Sequence, residues 1–415
     1  MKRENAIDLI RKGMEASDPE GAVLENTSLE GSTLIVCGDH FYLDVYERII
    51  VAGAGKASER MALGLEKILD GRISEGLVIT KKKLGLTSVV EVVEGSHPLP
   101  DERSLAATEK MIDLLSKCTA RDLIIFLVSG GGSSLLCYPE VSLESFRQVT
   151  DALMRSGADI KELNTVRKKL SMVKGGRLAA MTRGEMIALI MSDVVGDDVD
   201  LIASGPTASD TSTNPDAVRI LEKYQIMNEE VSARLYAEGP AVESRAHNYL
   251  IATNRKALDV MRAEAEMRGY NALILSSLFE GEARQTGAFL AAIANGIQMS
   301  APACILCGGE AVVRVRGKGR GGPNMEIAAS FAMNLKNTKA SLLCVASDGE
   351  DGSTYAAGAF ADSTTASKAD ELGLSIREYL DNNDTLALFE KTGDLIVTGS
   401  TGTNVNSFWL LFIEE

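Results

Sequence analysis

The unbroken apolar run Leu123-Ile-Ile-Phe-Leu-Val128 passes directly into Ser129-Gly-Gly-Gly-Ser-Ser134. That junction constrains the fold more than any other stretch. A continuous apolar run rich in β-formers suits a strand buried on both faces of a parallel sheet. Gly130, Gly131 and Gly132 then allow positive φ and a close backbone approach to a ligand. Ser129, Ser133 and Ser134 add hydroxyls, and the loop's N–H groups could converge on an anion. A tight turn after a core strand is the alternative.

The same order recurs along the chain. Ile49-Ile-Val-Ala-Gly53-Ala-Gly55-Lys56 is a strand and a glycine turn, followed by a helical pattern from near Lys56 to Leu69. A helix N-terminus there favours negative charge, and Lys56 adds a full positive charge beside it. The turn is neither a Walker A loop nor a complete G-x-G-x-x-G. Further strands are read at 76–80, 89–93, 186–191, near 249–253, 271–276 and 302–307, over Val312–Arg316, and at 342–346, 395–398 and 409–413. Strand, polar glycine turn, helix is the signature of α/β architecture, with loops gathered at the carboxyl ends of mainly parallel, Rossmann-like sheets. Between 209 and 245 the texture turns to loop and helix. Two α/β domains are therefore expected, 1–245 and 246–415, with the active site in the cleft between them. The amphipathic helix over residues 1–18 could pack on either.

A length of 415 residues allows two or three domains. A net charge of −15 argues against a nucleic-acid or anionic-membrane binder, though a local cationic cluster can still hold an anionic substrate. No apolar run approaches a membrane span, and the N-terminus lacks the apolar core of a signal peptide. The scattered cysteines read as reduced thiols of a cytoplasmic protein, with Cys304 and Cys307 at most a redox pair.

Charged groups cluster after the strands. His97 stands in Gly95-Ser-His97-Pro98, just before a helix that Asp101 can cap. The segment from Leu163 to Leu178 carries Arg167, Lys168, Lys169, Lys174 and Arg177. Read as one helix, it would place Arg167, Ser171 and Lys174 on a single face able to hold phosphates. Asp193 and Asp197 follow the 186–191 strand and suit a hard cation such as Mg²⁺, or a turn. Lys318 and Arg320 lie in a glycine-rich loop, where Arg320 could grip a carboxylate. Glu310, Asp348 and Asp351 are the acidic candidates of the C-terminal half.

Several segments together resemble the class II glycerate kinases, the glycerate 2-kinases with a C-terminal MOFRL domain. They are Gly53-Ala-Gly-Lys-Ala, Gly95-Ser-His-Pro-Leu-Pro-Asp-Glu, Ser129-Gly-Gly-Gly-Ser-Ser, Asn164-Thr-Val-Arg-Lys-Lys-Leu-Ser, Lys174-Gly-Gly-Arg-Leu-Ala and Ser192-Asp-Val-Val-Gly-Asp. Ser204-Gly-Pro-Thr, Gly308-Gly-Glu, Ser347-Asp-Gly-Glu-Asp-Gly and Thr401-Gly-Thr-Asn-Val complete the ordered set. The resemblance implies phosphorylation of D-glycerate by ATP with Mg²⁺ or another divalent cation, and an essential role for Lys56. Where the family often has an arginine, this chain has Pro323, and Arg320 is a candidate replacement.

The expected chemistry follows. Lys56 stabilises the transferring phosphoryl group, and the Ser129–Ser134 loop cradles phosphates. His97, Asn164, Arg167, Lys174 and Arg320 contact substrate or phosphate. Asp193 or Asp197 holds the cation or accepts the substrate proton, with Glu310, Asp348 and Asp351 as further metal candidates. Glycerate and ATP are the expected partners, with neither nucleic acid nor membrane, and a homo-oligomer is compatible. Alternatives are a hydroxypyruvate reductase, a kinase of another hydroxy or sugar acid, and a non-catalytic metabolite sensor. A reductase would need the dinucleotide fingerprint that Gly53-Ala-Gly55 lacks.

Overall fold

A computed structural model describes residues 3–237 and 242–414. Two units emerge, one of Pro19–Ile251 and one that joins Met1–Asp18 to Ala252–Glu415.

The Pro19–Ile251 unit begins with a small antiparallel sheet of β1 (Thr27–Glu30), β2 (Thr33–Val36) and β3 (Asp39–Tyr42). Its main sheet contains β4 (Arg48–Ala54), β5 (Glu75–Thr80), β6 (Val90–Glu94), β7 (Asp122–Val128), β8 (Glu185–Met191) and β9 (His247–Ala252), in the order β6-β5-β4-β7-β8-β9. The five strands from β6 to β8 run parallel. Every residue of β7 is buried. Ile124, Phe126 and Val128 alternate onto one face and join a core with Ala107, Met111 and Leu115 of the helix Glu102–Ser116. That is the period of two expected of a central strand. Each such aliphatic side chain removed from water contributes about 1.5–3 kcal/mol. The expected domain division at 245/246 falls just ahead of β9, which the structure places at the edge of this sheet.

The second unit holds β10 (Asn271–Glu282), β11 (Ala303–Val312), β12 (Ala340–Ala346), β13 (Gly358–Asp362), β14 (Leu395–Ile396) and β15 (Ser407–Ile413), in the order β10-β11-β15-β12-β13-β14. β10 and β11 are parallel, while β15 and β13 run against their neighbours. The strand expected over Val312–Arg316 is not formed. β11 ends at Val312, and the N–H groups of Arg316 and Gly317 donate to Asn383 Oδ1 at 2.7 and 2.9 Å instead of to a neighbouring strand.

The helix Arg3–Glu15 belongs to this second unit and packs along the helix Asn254–Met267. Cys304 and Cys307 are free and buried in β11. Burial pushes the Cys307 thiol up to about 12, which leaves it unreactive. No described helix is long and apolar enough to cross a membrane.

Candidate active site

The carboxyl ends of β4 and β7 lie side by side, with Ala54 opposite Val128. Their loops therefore meet. Lys56 N–H donates to the Gly130 carbonyl at 2.9 Å, and Ala57 N–H donates to Ser129 Oγ at 3.1 Å. The helix after the first loop starts at Ser58, just beyond Lys56. Two glycines are required here. A Cβ on Gly130 would fall 2.3 Å from Asp193 Oδ2. Gly131 has φ +85°, and a Cβ there would press on Lys56 Cγ, Lys56 Cε and His97 Cδ2 at 3.1–3.3 Å. The missing side chains let Lys56, His97 and Asp193 close over the loop. Among the described residues, the N–H groups of Gly130, Gly131 and Ser133 find no acceptor, while those of Gly132, Ser134 and Leu135 bond within the loop. Three free donors beside a cationic side chain suit an anion.

The underside of the loop is anchored. Ser133 Oγ lies 2.8 Å from Ser204 Oγ, which donates to Asn164 Oδ1 at 2.5 Å. The Asn164 amide donates to the Ile160 carbonyl at 3.0 Å. Ala203, Ser204 and Gly205 all take positive φ, 52°, 62° and 60°. Gly175 and Gly176 N–H groups bond to the carbonyls of Ser204 and Gly205. Lys174 is fully buried, and its ammonium donates to the Ser133 and Leu136 carbonyls at 2.6 and 2.9 Å.

The shared helical face of Arg167, Ser171 and Lys174 does not exist. The helix Ile160–Lys169 stops before Ser171, which bridges to Pro139, and positive φ at Gly175 and Gly176 forces a turn. The basic segment is instead sorted by its partners. Lys168 pairs with Asp200 and Asp210 at 2.9 and 3.1 Å, and Lys169 pairs with Asp210 at 2.6 Å. Arg167 has no carboxylate partner among the described residues, yet it is only 8% exposed. Burial pulls its guanidinium down to about 10. A buried cation left without a counter-charge is costly unless a ligand supplies one.

His97 is half-buried and held down to about 4 by burial, then by the charges of Lys56, Lys81 and Arg167. It is neutral at neutral pH. Ser134 Oγ donates to the adjacent Pro98 carbonyl, tying the His97 segment to the loop. Burial raises the Asp193 carboxyl, and Lys56 opposes the rise. Asp197 is raised by burial and held back by a hydrogen bond from Ser192. Lys56, His97, Arg167, Asp193 and the loop thus share one electrostatic neighbourhood.

In the second unit, Asp351 is buried and both its oxygens are occupied. Oδ1 accepts from Asn324 N and Nδ2 at 3.0 and 3.1 Å, and Oδ2 accepts from Met325 N at 2.8 Å. It caps the helix Pro323–Asn334 in place of an N-cap side chain, and Pro323 is that helix's first residue. Asp348 Oδ1 accepts from Glu350 N at 3.0 Å, and Glu310 is exposed at the end of β11. Arg320 is exposed, with its N–H donating to Asp384 Oδ1 at 3.1 Å. Among the described residues no three His, Cys, Asp or Glu side chains gather as a metal cage. The tertiary structure links the 204–207 turn to Ser133 through Ser204. It also brings the charge of Lys81 to bear on His97. Neither link has a sequence signal, because both join segments far apart in the chain.

A family model described as a domain of unknown function (DUF4147) matches residues 5–236, and the MOFRL family model matches 303–407. D-glycerate 2-kinase of Thermotoga maritima is 40% identical, covering 97% of this chain and 96% of that protein. The chain belongs to the class II glycerate kinase family. A crystal structure of a Thermotoga maritima glycerate kinase superimposes with a TM-score of 0.87 at 38% identity, covering 98% of each chain. The chain is also similar to an Agrobacterium vitis protein named for hydroxypyruvate reductase, at 39% identity over 88% of this chain and 87% of that one.

Proposed function

We propose that the protein is an ATP-dependent D-glycerate 2-kinase, moving the γ-phosphoryl group to the glycerate 2-hydroxyl to give 2-phosphoglycerate and ADP. The observation that carries this reading is the pair Lys56 and Arg167. Both are cations without a carboxylate within 4 Å among the described residues, beside a loop with three free N–H donors. Phosphoryl transfer is catalysed mostly by positioning and charge neutralisation, which such a set supplies.

The new bond joins the substrate 2-oxygen to phosphorus, and the bond from phosphorus to the β,γ-bridging oxygen breaks. Lys56 stabilises the charge on the transferring group. The N–H groups of Gly130, Gly131 and Ser133 hold phosphate oxygens. Arg167 neutralises the glycerate carboxylate or a phosphate. Asp193 accepts the hydroxyl proton, and its raised carboxyl suits a base that must also give the proton up. Neutral His97 adds no charge and can accept or donate a hydrogen bond. Mg²⁺ is usually held by one or two carboxylates together with substrate phosphates, so Asp197, another carboxylate after β8, would hold the ion that neutralises the phosphate charge.

The test is incubation with ATP, Mg²⁺ and D-glycerate, with the product passed directly to enolase and no mutase present. Absence of signal under saturating substrate would overturn 2-kinase activity. The Agrobacterium vitis relative makes a reductase the second reading. NADH oxidation with hydroxypyruvate is its test. Lys56→Met should cut kcat by at least about 100-fold while leaving the fold intact, because a charge acting in the transition state is lost.

A further inference from the structure

We propose that Lys174 is a positioning residue for the kinase reaction, acting on the glycine loop from beneath and never on the substrate. The inference rests on the kinase reading for its chemistry and on the loop's own geometry for its form. Lys174 is 0% exposed, so its ammonium cannot meet a ligand in solution. It donates to the carbonyls of Ser133 and Leu136, at 2.6 and 2.9 Å. One carbonyl lies within the single helical turn Gly132–Leu135 and the other on Leu136, just past its end.

Ser133 is the residue this contact controls. Its carbonyl is fixed by Lys174 and its hydroxyl by Ser204. Its N–H alone has no partner among the described residues. The free N–H lies on the Gly132–Ser133 peptide, whose Gly132 carbonyl accepts from Leu136 N–H at 2.9 Å. With Ser133 held on its other side, this donor is aimed before any anion arrives, and donors aimed in advance do not have to reorganise during the reaction. The arrangement is also expensive for the fold. The ionisable groups facing Lys174 are the Cys137 thiol and the Arg167 guanidinium, and burial brings the lysine down to about 7. An apolar side chain would fill the same space without that cost. A buried cation with no acid beside it is explained by what its donors hold.

Lys174→Met separates positioning from packing. The expected variant stays folded and melts close to the parent, since removal of the desolvated charge offsets two carbonyls left without their donor. Its kcat falls about 10–100-fold, and KM for ATP changes less than about threefold, as expected when donors used in the transition state lose their aim. A stable variant with parental kcat overturns the proposal. If the variant does not fold, the parent protein decides. With ¹³Cε-labelled lysine, one lysine should titrate near neutral pH, and its midpoint should rise when ATP is added, because an anion in the loop and the ammonium favour each other. An unmoved midpoint overturns the proposal. A parent lacking glycerate kinase activity overturns the kinase reading instead, and the ATP-induced shift still judges the loop clamp on its own.

Discussion

His97 shows how burial, with positive charge added around it, sets the state of a single residue. An unfolded chain takes up the histidine proton near pH 6.5, whereas the folded protein does so only near 4. Between those values the unfolded state binds more protons, so folding stability declines as the pH falls from about 6.5 to about 4. The loss is complete below that window and absent above it. His97→Gln should remove this part of the acid sensitivity, read as a smaller change in the urea midpoint between pH 7 and pH 4. Arg167 carries the same logic with the opposite remedy. It cannot discharge at ordinary pH, so an anion of the kind proposed for it would offset the cost of its burial.

At the scale of elements, the glycine loop depends on parts brought in from four separate segments. Ser204, Lys174 and the Pro98 carbonyl each hold one of its groups, and Asn164 holds Ser204 in turn. A comparable knot organises the helix Pro323–Asn334. Asp351 caps it from another loop, and Asn324 accepts from Trp409 Nε1 at 2.8 Å. Burial raises Asp351 to about 7, so its contribution is largest in acid and fades as the pH rises toward neutrality. Asp351→Ala leaves Asn324 and Met325 donors unsatisfied. A loss of about 1–3 kcal/mol is expected, measured by chemical denaturation near pH 6, for one or more buried donors without partners.

Across the whole molecule, the chain is not partitioned in sequence order. Residues 3–18 pack with the unit that begins at Ala252. Leu9 and Ile10 are buried, Gly13 lies against Met261, and Thr403 Oγ1 donates to the Ser17 carbonyl at 2.5 Å. Removing residues 1–18 should lower hydrogen-exchange protection within 252–415 and leave the 48–191 strands protected, a contrast that mass spectrometry can read. The parallel strands of the first sheet were legible as apolar runs, because a strand covered on both faces has no polar face to show. The glycine loop was legible as glycines and serines following a buried strand, a pattern that fits an anion loop or a tight turn. Lys56 was legible as a charge at such a turn. The sorting of Arg167, Lys168, Lys169 and Lys174 was not, because four neighbouring cations look alike until their partners are known. Asp200, Asp210 and the loop carbonyls decide their roles from positions remote in sequence. The chain's own pattern therefore determined the α/β class and the location of the glycine loop proposed to hold an anion. Only the tertiary structure decided which cation stays free for a ligand and which holds the loop, because burial and partnership are properties of the packed chain.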